Sequence, residues 1–235
     1  MLLYLIRHGD PIYVTDTLTD RGREQAEAVG KRIAASGITR IFSSPMGRAR
    51  ETAAPACRLL GMEAQIEPWT REIEGARLTR YPDGERKSIS RLPSYVFREN
   101  GNAALTYEHS FECTGINDTD MQAAVAFIET NGNEFLERLG YRKEGDIYRI
   151  LTPNEEKVAL FCHSAMTRAW LSSLLHVPLH LVWSCMDVTH TGVTVLEFKN
   201  YESGITSPRM LCLSDLSHLY AEGLDLRYNG TATEL

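Results

Sequence analysis

Two short, unbroken apolar runs constrain this chain most. Residues 2–6 read LLYLI and residues 158–162, after Lys157, read VALFC, and each runs directly into a polar cluster. Apolar runs of this length, with β-branched or aromatic members and no polar alternation, fit strands buried on both faces. Helix-period segments follow. LTDRGREQAEAVGKRIAASG, residues 18–37, carries an apolar stripe at Ala26, Val29, Ile33 and Ala34. Thr19 or Asp20 serves as its N-cap and Gly37 as its terminator. ITRIFSS (38–44) reads as a second short strand. PMGRARETAAPACRLLG (45–61) reads as a second helix, with Pro45 at its start, Gly61 past its end and Pro55 as a kink inside it. SAMTRAWLSSLLHV (164–177) reads as a helix after KVALFC, with Pro178 beyond it, and GVTVLEFK and RMLCLSD read as two more strands. Strands alternating with helices predict an α/β fold, a three-layer α/β/α sandwich on a mostly parallel central sheet.

The region from about 75 to 145 breaks that rhythm. It is rich in turn residues (RYPDGERKS, RENGN, CTGINDTD), with helical pieces such as MQAAVAFIETNGNEFLERLG and a hairpin pattern at YRKEGDIYRI. The expectation is one domain over 1–235 with an inserted cap at 76–145, a length that suits a single elaborated domain. A net charge of −6 argues against a broad nucleic-acid face. Five widely spaced cysteines without a C-x-x-C pair read as reduced thiols. The N-terminal apolar run is too short for a signal peptide, and no run approaches membrane-spanning length. These features predict a soluble, cytoplasmic protein with no nucleic-acid or membrane partner.

In open parallel sheets, ligands bind beyond the carboxyl ends of the strands. Three polar clusters fall at such ends: Arg7-His8-Gly9, then Ser43-Ser44-Pro45 with Arg48 one turn on, then His163-Ser164. Two arginines, two histidines and a helix N-terminus suit a phosphoryl group. Arginine's fork matches phosphate oxygens and keeps its charge. A helix N-terminus adds N–H donors. A neutral imidazole is a competent nucleophile toward phosphorus. Two other patterns compete. His176 and His180 stand four apart, as metal ligands on a helix do, but Pro178 between them spoils the register, so no metal site is expected. Cys162 and Arg168 have the spacing of a cysteine-phosphatase loop. Against this, Cys162 reads as the last buried strand position, pointing away from His163, which leaves Arg168 as a structural helix residue.

RHG, LTDRGREQA, SSPMGRARETA, REIEG and FCHSAMTRAWL occur in the order and approximate spacing of the histidine phosphatase superfamily, the phosphoglycerate-mutase-like fold, and the chain resembles that family over residues 1–75 and 157–198. The resemblance implies that His8 becomes phosphohistidine, that Arg7 and Arg48 bind the phosphate, and that His163 stabilises the transferring group. Glu72 is implied as the general acid, with Glu74 as its rival, and the backbone N–H of Ser164 as a further phosphate donor. CHSA stands where the family more often has His-Gly-Gly. The mutase branch's LNER motif and its paired arginines are absent, which argues for the phosphatase branch. The expected activity is hydrolysis of a small phosphomonoester to an alcohol and inorganic phosphate, without cofactor or metal and with a bell-shaped pH profile. A non-catalytic phospholigand-binding module of the same fold and a Cys162-dependent phosphatase are the alternatives. The cap arginines Arg77, Arg80, Arg86, Arg91 and Arg98 read mainly as a solvated face.

Overall fold

The computed structural model describes residues 1–81 and 83–228; Pro82 of the expected insertion and residues 229–235 of the expected domain lie outside the described residues. The strands β1 (Leu2–Arg7), β2 (Arg40–Ser43), β3 (Gln65–Ile66), β4 (Lys157–Cys162), β5 (Val193–Glu197) and β6 (Arg209–Asp215) form one sheet in the order β6-β5-β1-β4-β2-β3. The pairs β1–β4, β4–β2 and β2–β3 are parallel, while β5 runs antiparallel to β1 and β6.

The two apolar runs do occupy the middle of the sheet, and they are buried on both faces. Strand side chains alternate in direction. Ala159 and Phe161 of β4 therefore meet Ile6, Ile41 and the helices α1 (Asp20–Ala35) and α2 (Gly47–Leu60) at Val29, Ile33, Ala53 and Ala56. Val158, Leu160 and Cys162 face the other way, with Leu3, Leu5 and Phe42, against α3 (Met121–Arg138) and α4 (Ser164–Leu175) at Ile128, Phe135, Ala165, Ala169 and Trp170. The result is the three-layer sandwich. Each large side chain buried there contributes about 1.5–3 kcal/mol.

Helix ends follow the local chemistry. Thr19 caps α1 by accepting from the Gly22 N–H at 2.9 Å, and the left-handed Gly61 ends α2 at φ +63°. The helix α2 starts at Gly47 with Met46 as its N-cap, two residues past the expected start at Pro45. Of the 76–145 stretch, α3 packs into the core, where Phe135, Trp69 and Trp170 pack against one another. Tyr141–Glu144 and Ile147–Ile150 form the expected hairpin, extended by Ile205–Thr206. The short helical turns Gly75–Arg77, Ile89–Arg91 and Ser94–Phe97 contribute to the wall of the cavity that holds Arg7 and His8 at the carboxyl end of β1. Among the described residues no helix is long and apolar enough to cross a membrane.

Candidate active site

Sheet register brings the site together. Arg7 pairs with Cys162, and the His8 N–H donates to the Cys162 carbonyl at 3.0 Å, so His8 and His163 leave adjacent strands at the same level. Their ring centroids are 5.2 Å apart. The Ser44 N–H donates to the Phe161 carbonyl at 2.8 Å, which sets the SSP turn beside them. Gly9 is required by close approach: a Cβ there would stand 2.7 Å from the Gly22 carbonyl oxygen, and one on Gly22 would run into the Asp10 carbonyl. The RHG turn and the first turn of α1 are thus in backbone contact, which is why both motifs carry glycine.

His8 is 2 % exposed. Its Nδ1 lies 2.7 Å from the Gly9 carbonyl oxygen. A carbonyl only accepts, so Nδ1 carries the proton and Nε2 keeps a free lone pair. Burial, reinforced by the charge of Arg7, holds the imidazole well below its ordinary 6.5, so it stays neutral. His163 is also buried, with Nε2 2.8 Å from Ser44 Oγ and Nδ1 without a partner, and burial takes it down to about 3.

Arg7, His8, Glu72 and Ser164 line one cavity of about 470 Å³. Arg48 and His163 are buried and do not line it. Arg48 is 2 % exposed; Nη1 donates to Asp16 at 2.6 Å and Nη2 to Glu74 at 3.2 Å. Glu72 sits at the start of α4, where its carboxylate accepts from the N–H groups of Ile73 (3.1 Å), Ala165 (3.2 Å) and Met166 (3.0 Å). Burial alone raises this carboxyl, but His163, Arg77 and the backbone N–H groups outweigh it and hold it below the ordinary carboxylate value. Glu72 is therefore ionised in the unliganded site, not protonated as a resting acid, and it takes amides at the helix N-terminus that the sequence pattern offers to phosphate.

Three residues join the site that the sequence reading left out. Arg168 is not merely a structural helix residue. It lines the cavity, stacked 4.2 Å over the Trp183 ring, with Nε buried and unpartnered and its guanidinium drawn down to about 10 by burial. It stands one turn after Ser164, and helical side chains lean toward the N-terminus, a signal legible in its spacing. Arg77 of the expected solvated set also lines the cavity. His190, on the loop into β5, accepts from Arg7 Nη2 at 2.8 Å, and its ring lies 5.5 Å from that of His8. Its placement depends on β5 running antiparallel beside β1, which no local pattern announces.

Cys162 is fully buried in the α3/α4 layer, 3.2 Å from Thr167 Oγ1, and burial pushes its thiol up to about 12. A thiol so placed is neither a thiolate nor exposed to substrate. Cys162→Ser is expected to keep any phosphatase activity within about threefold, since a buried neutral thiol does not reach substrate. An abolished turnover with the fold intact would reverse this assignment. Alkylation does not discriminate, because the exposed Cys185 lines the cavity mouth beside Arg98. Among the described residues no three His, Cys, Asp or Glu side chains are grouped to hold a metal ion. His176 is at a left-handed turn, φ 52°.

Residues 3–108 match the pattern described as histidine phosphatase superfamily (branch 1). That match covers a little under half of the chain and agrees with the resemblance carried by the RHG and SSP motifs. A probable phosphoglycerate mutase from Photorhabdus laumondii is 33% identical over 101 residues, 39% of this chain and 44% of that protein. A mitochondrial serine/threonine-protein phosphatase from Drosophila persimilis is 48% identical over 58 residues, 22% of this chain and 20% of that protein. These matches span less than half the length of the curated relatives. The fold is shared with phosphoserine phosphatase from Entamoeba histolytica, solved as a mutant in complex with phosphoserine (TM-score 0.60, 21% identity, 93% of this chain and 98% of that one). It is shared too with a mycobacterial glucosyl-3-phosphoglycerate phosphatase solved with VO3 (TM-score 0.58, 18% identity, 91% and 98%).

Proposed function

We propose that this protein hydrolyses phosphomonoesters through a phosphohistidine on His8. The observation that carries the reading is the Nδ1–Gly9 hydrogen bond, which leaves Nε2 unprotonated at the site where Arg7 and His163 converge. In the first step His8 Nε2 forms a bond to phosphorus as the P–O bond to the leaving alcohol breaks. Arg7, Arg48, His163 and the Ser164 N–H balance the charge on the oxygens. Arg48 reaches the phosphoryl group by exchanging Glu74, whose side chain is 53% exposed, for a phosphate oxygen. No metal or cofactor takes part.

Glu72 supplies the proton to the leaving oxygen. Ionised when the site is empty, it gains a proton when the phosphoryl anion enters beside it, because two adjacent like charges disfavour the doubly ionised state. In the second step it takes a proton from the water that displaces His8 and releases inorganic phosphate. The 470 Å³ cavity suits a small phosphorylated metabolite. Phosphoserine and 3-phosphoglyceric acid, the ligands of the Entamoeba enzyme, are of that size class and head the panel to assay. The segment around Arg77–Phe97 acts as the cap that selects among such substrates.

A leaving-group series tests the acid. Glu72→Gln should lower kcat/KM, which reports the first step, by about 10²-fold or more for alkyl phosphates but much less for 4-nitrophenyl phosphate, because nitrophenolate departs without a proton. Selective slowing of alkyl phosphates in Glu74→Gln but not in Glu72→Gln transfers the role to Glu74. Release of inorganic phosphate in step with substrate loss, in EDTA, distinguishes hydrolysis from phosphoryl transfer to a second substrate.

A further inference from the structure

We propose that His190 is a positioning residue for Arg7, acting as a neutral imidazole that accepts a guanidinium hydrogen bond and is itself oriented by Asp10. The proposal rests on the reading of Arg7 as a phosphate clamp. Arg7 leaves β1 with two of its nitrogens committed: Nη1 donates to the Val188 carbonyl at 2.7 Å and Nη2 to His190 Nε2 at 2.8 Å. A guanidinium has no acceptor, so His190 Nε2 carries no proton. The ring proton of the neutral form is then on Nδ1, which stands 3.6 Å from Asp10 Oδ1. Asp10 is fixed in turn: Oδ2 accepts from Thr19 Oγ1 at 2.8 Å, and its N–H donates to Gln25 Oε1 at 2.9 Å.

A chain of contacts therefore runs from the cap of α1 through Asp10 and His190 to Arg7. Its direction matters. An imidazolium has only donors, so a protonated His190 would lose the bond to Arg7 and place a second cation against it. Arg7 and His8 from β1 and Arg21 from α1 are the cationic or titratable groups around this ring, and Asp10 is the anion. Burial together with Arg7 and Arg21 keeps the ring neutral, with its pKa near 3. Two anchored terminal nitrogens fix the plane of the Arg7 fork before substrate arrives, and catalysis is sensitive to misplacements of about 1 Å.

The test uses His190→Leu, which cannot accept, and His190→Gln, which accepts through its side-chain oxygen. Inhibition by inorganic vanadate and the kcat and KM for 4-nitrophenyl phosphate are the readouts. His190→Leu should weaken vanadate inhibition by about tenfold or more and lower kcat/KM by roughly 10²-fold. His190→Gln should recover most of both. In an Arg7→Ala background, His190→Leu should add little, since its effect runs through Arg7. Wild-type behaviour in His190→Leu, no recovery in a folded His190→Gln, or an undiminished loss in the Arg7→Ala background overturns the proposal. ¹⁵N NMR of the wild type, which needs no variant to fold, should show His190 protonated at Nδ1; protonation at Nε2 also refutes it. A wild type that neither binds vanadate nor turns over sinks the clamp reading itself, and is recognisable because no variant enters that measurement.

Discussion

His8→Ala should lose activity by on the order of 10³-fold or more while the protein remains folded and still binds inorganic phosphate. No other described side chain offers an unprotonated nitrogen held by its backbone at this point: the tautomer is set by Gly9, and the lone pair stands where two strands end. Thermal stability at pH 7 should fall modestly, because the buried neutral ring leaves a small cavity and the Gly9 carbonyl loses its donor. Rapid-quench labelling with a phosphorus-labelled substrate should trap an acid-labile, alkali-stable phosphoryl group on wild type and none on His8→Ala. Substantial turnover by the variant, or label on a serine or cysteine, would move the nucleophile elsewhere.

Acid should unfold this protein early. Burial lowers five histidines, His180 among them, and four of the five also face arginine charge: His8 well below 6.5, His163 and His190 at about 3, and His218 at about 4. Burial is the leading cause in all five. In the unfolded chain the same imidazoles protonate near 6.5. Between that value and the folded ones, the unfolded state binds more protons, so stability is full above the unfolded value and falls as pH drops. Each such group contributes a slope of about 1.4 kcal/mol per pH unit within its window. Urea midpoints should be flat above about pH 7 and fall steeply from roughly pH 6 to pH 4. His218→Gln, which lies outside the cavity, should make the slope shallower by about one proton's worth. A midpoint independent of pH down to about 4 would show that these rings are not buried neutral.

Much of the geometry around the candidate site was legible because strand ends and close backbone contacts leave local marks. A strand that ends in Arg-His-Gly needs its glycine for the contact with Gly22, and the SSP turn and the His163-Ser164 junction follow strands that pack side by side. Cys162 was assigned correctly to the core from alternation alone, since adjacent strand residues point to opposite faces. Charge state was less legible. Glu72 reads as an acid by its motif, yet its protonation depends on amides contributed 93 and 94 residues later in the chain. The cap arginines look alike in sequence; Arg77 enters the cavity, while Arg86 turns back onto the Leu78 carbonyl and Arg98 reaches Cys185 at the rim.

By itself the sequence determined the layers, the central strands and the polar clusters at their ends, because periodicity, caps and turn residues act over a few neighbours. Tertiary structure alone decided which of those clusters share a wall. It set His190 against Arg7 through the antiparallel run of β5, placed Arg168 in the cavity, and put Glu72 on the α4 amides. The physical reason is range. Hydrophobic pattern is a property of a segment, but an imidazole's tautomer or a carboxyl's charge is set by whatever the fold brings within a few ångströms.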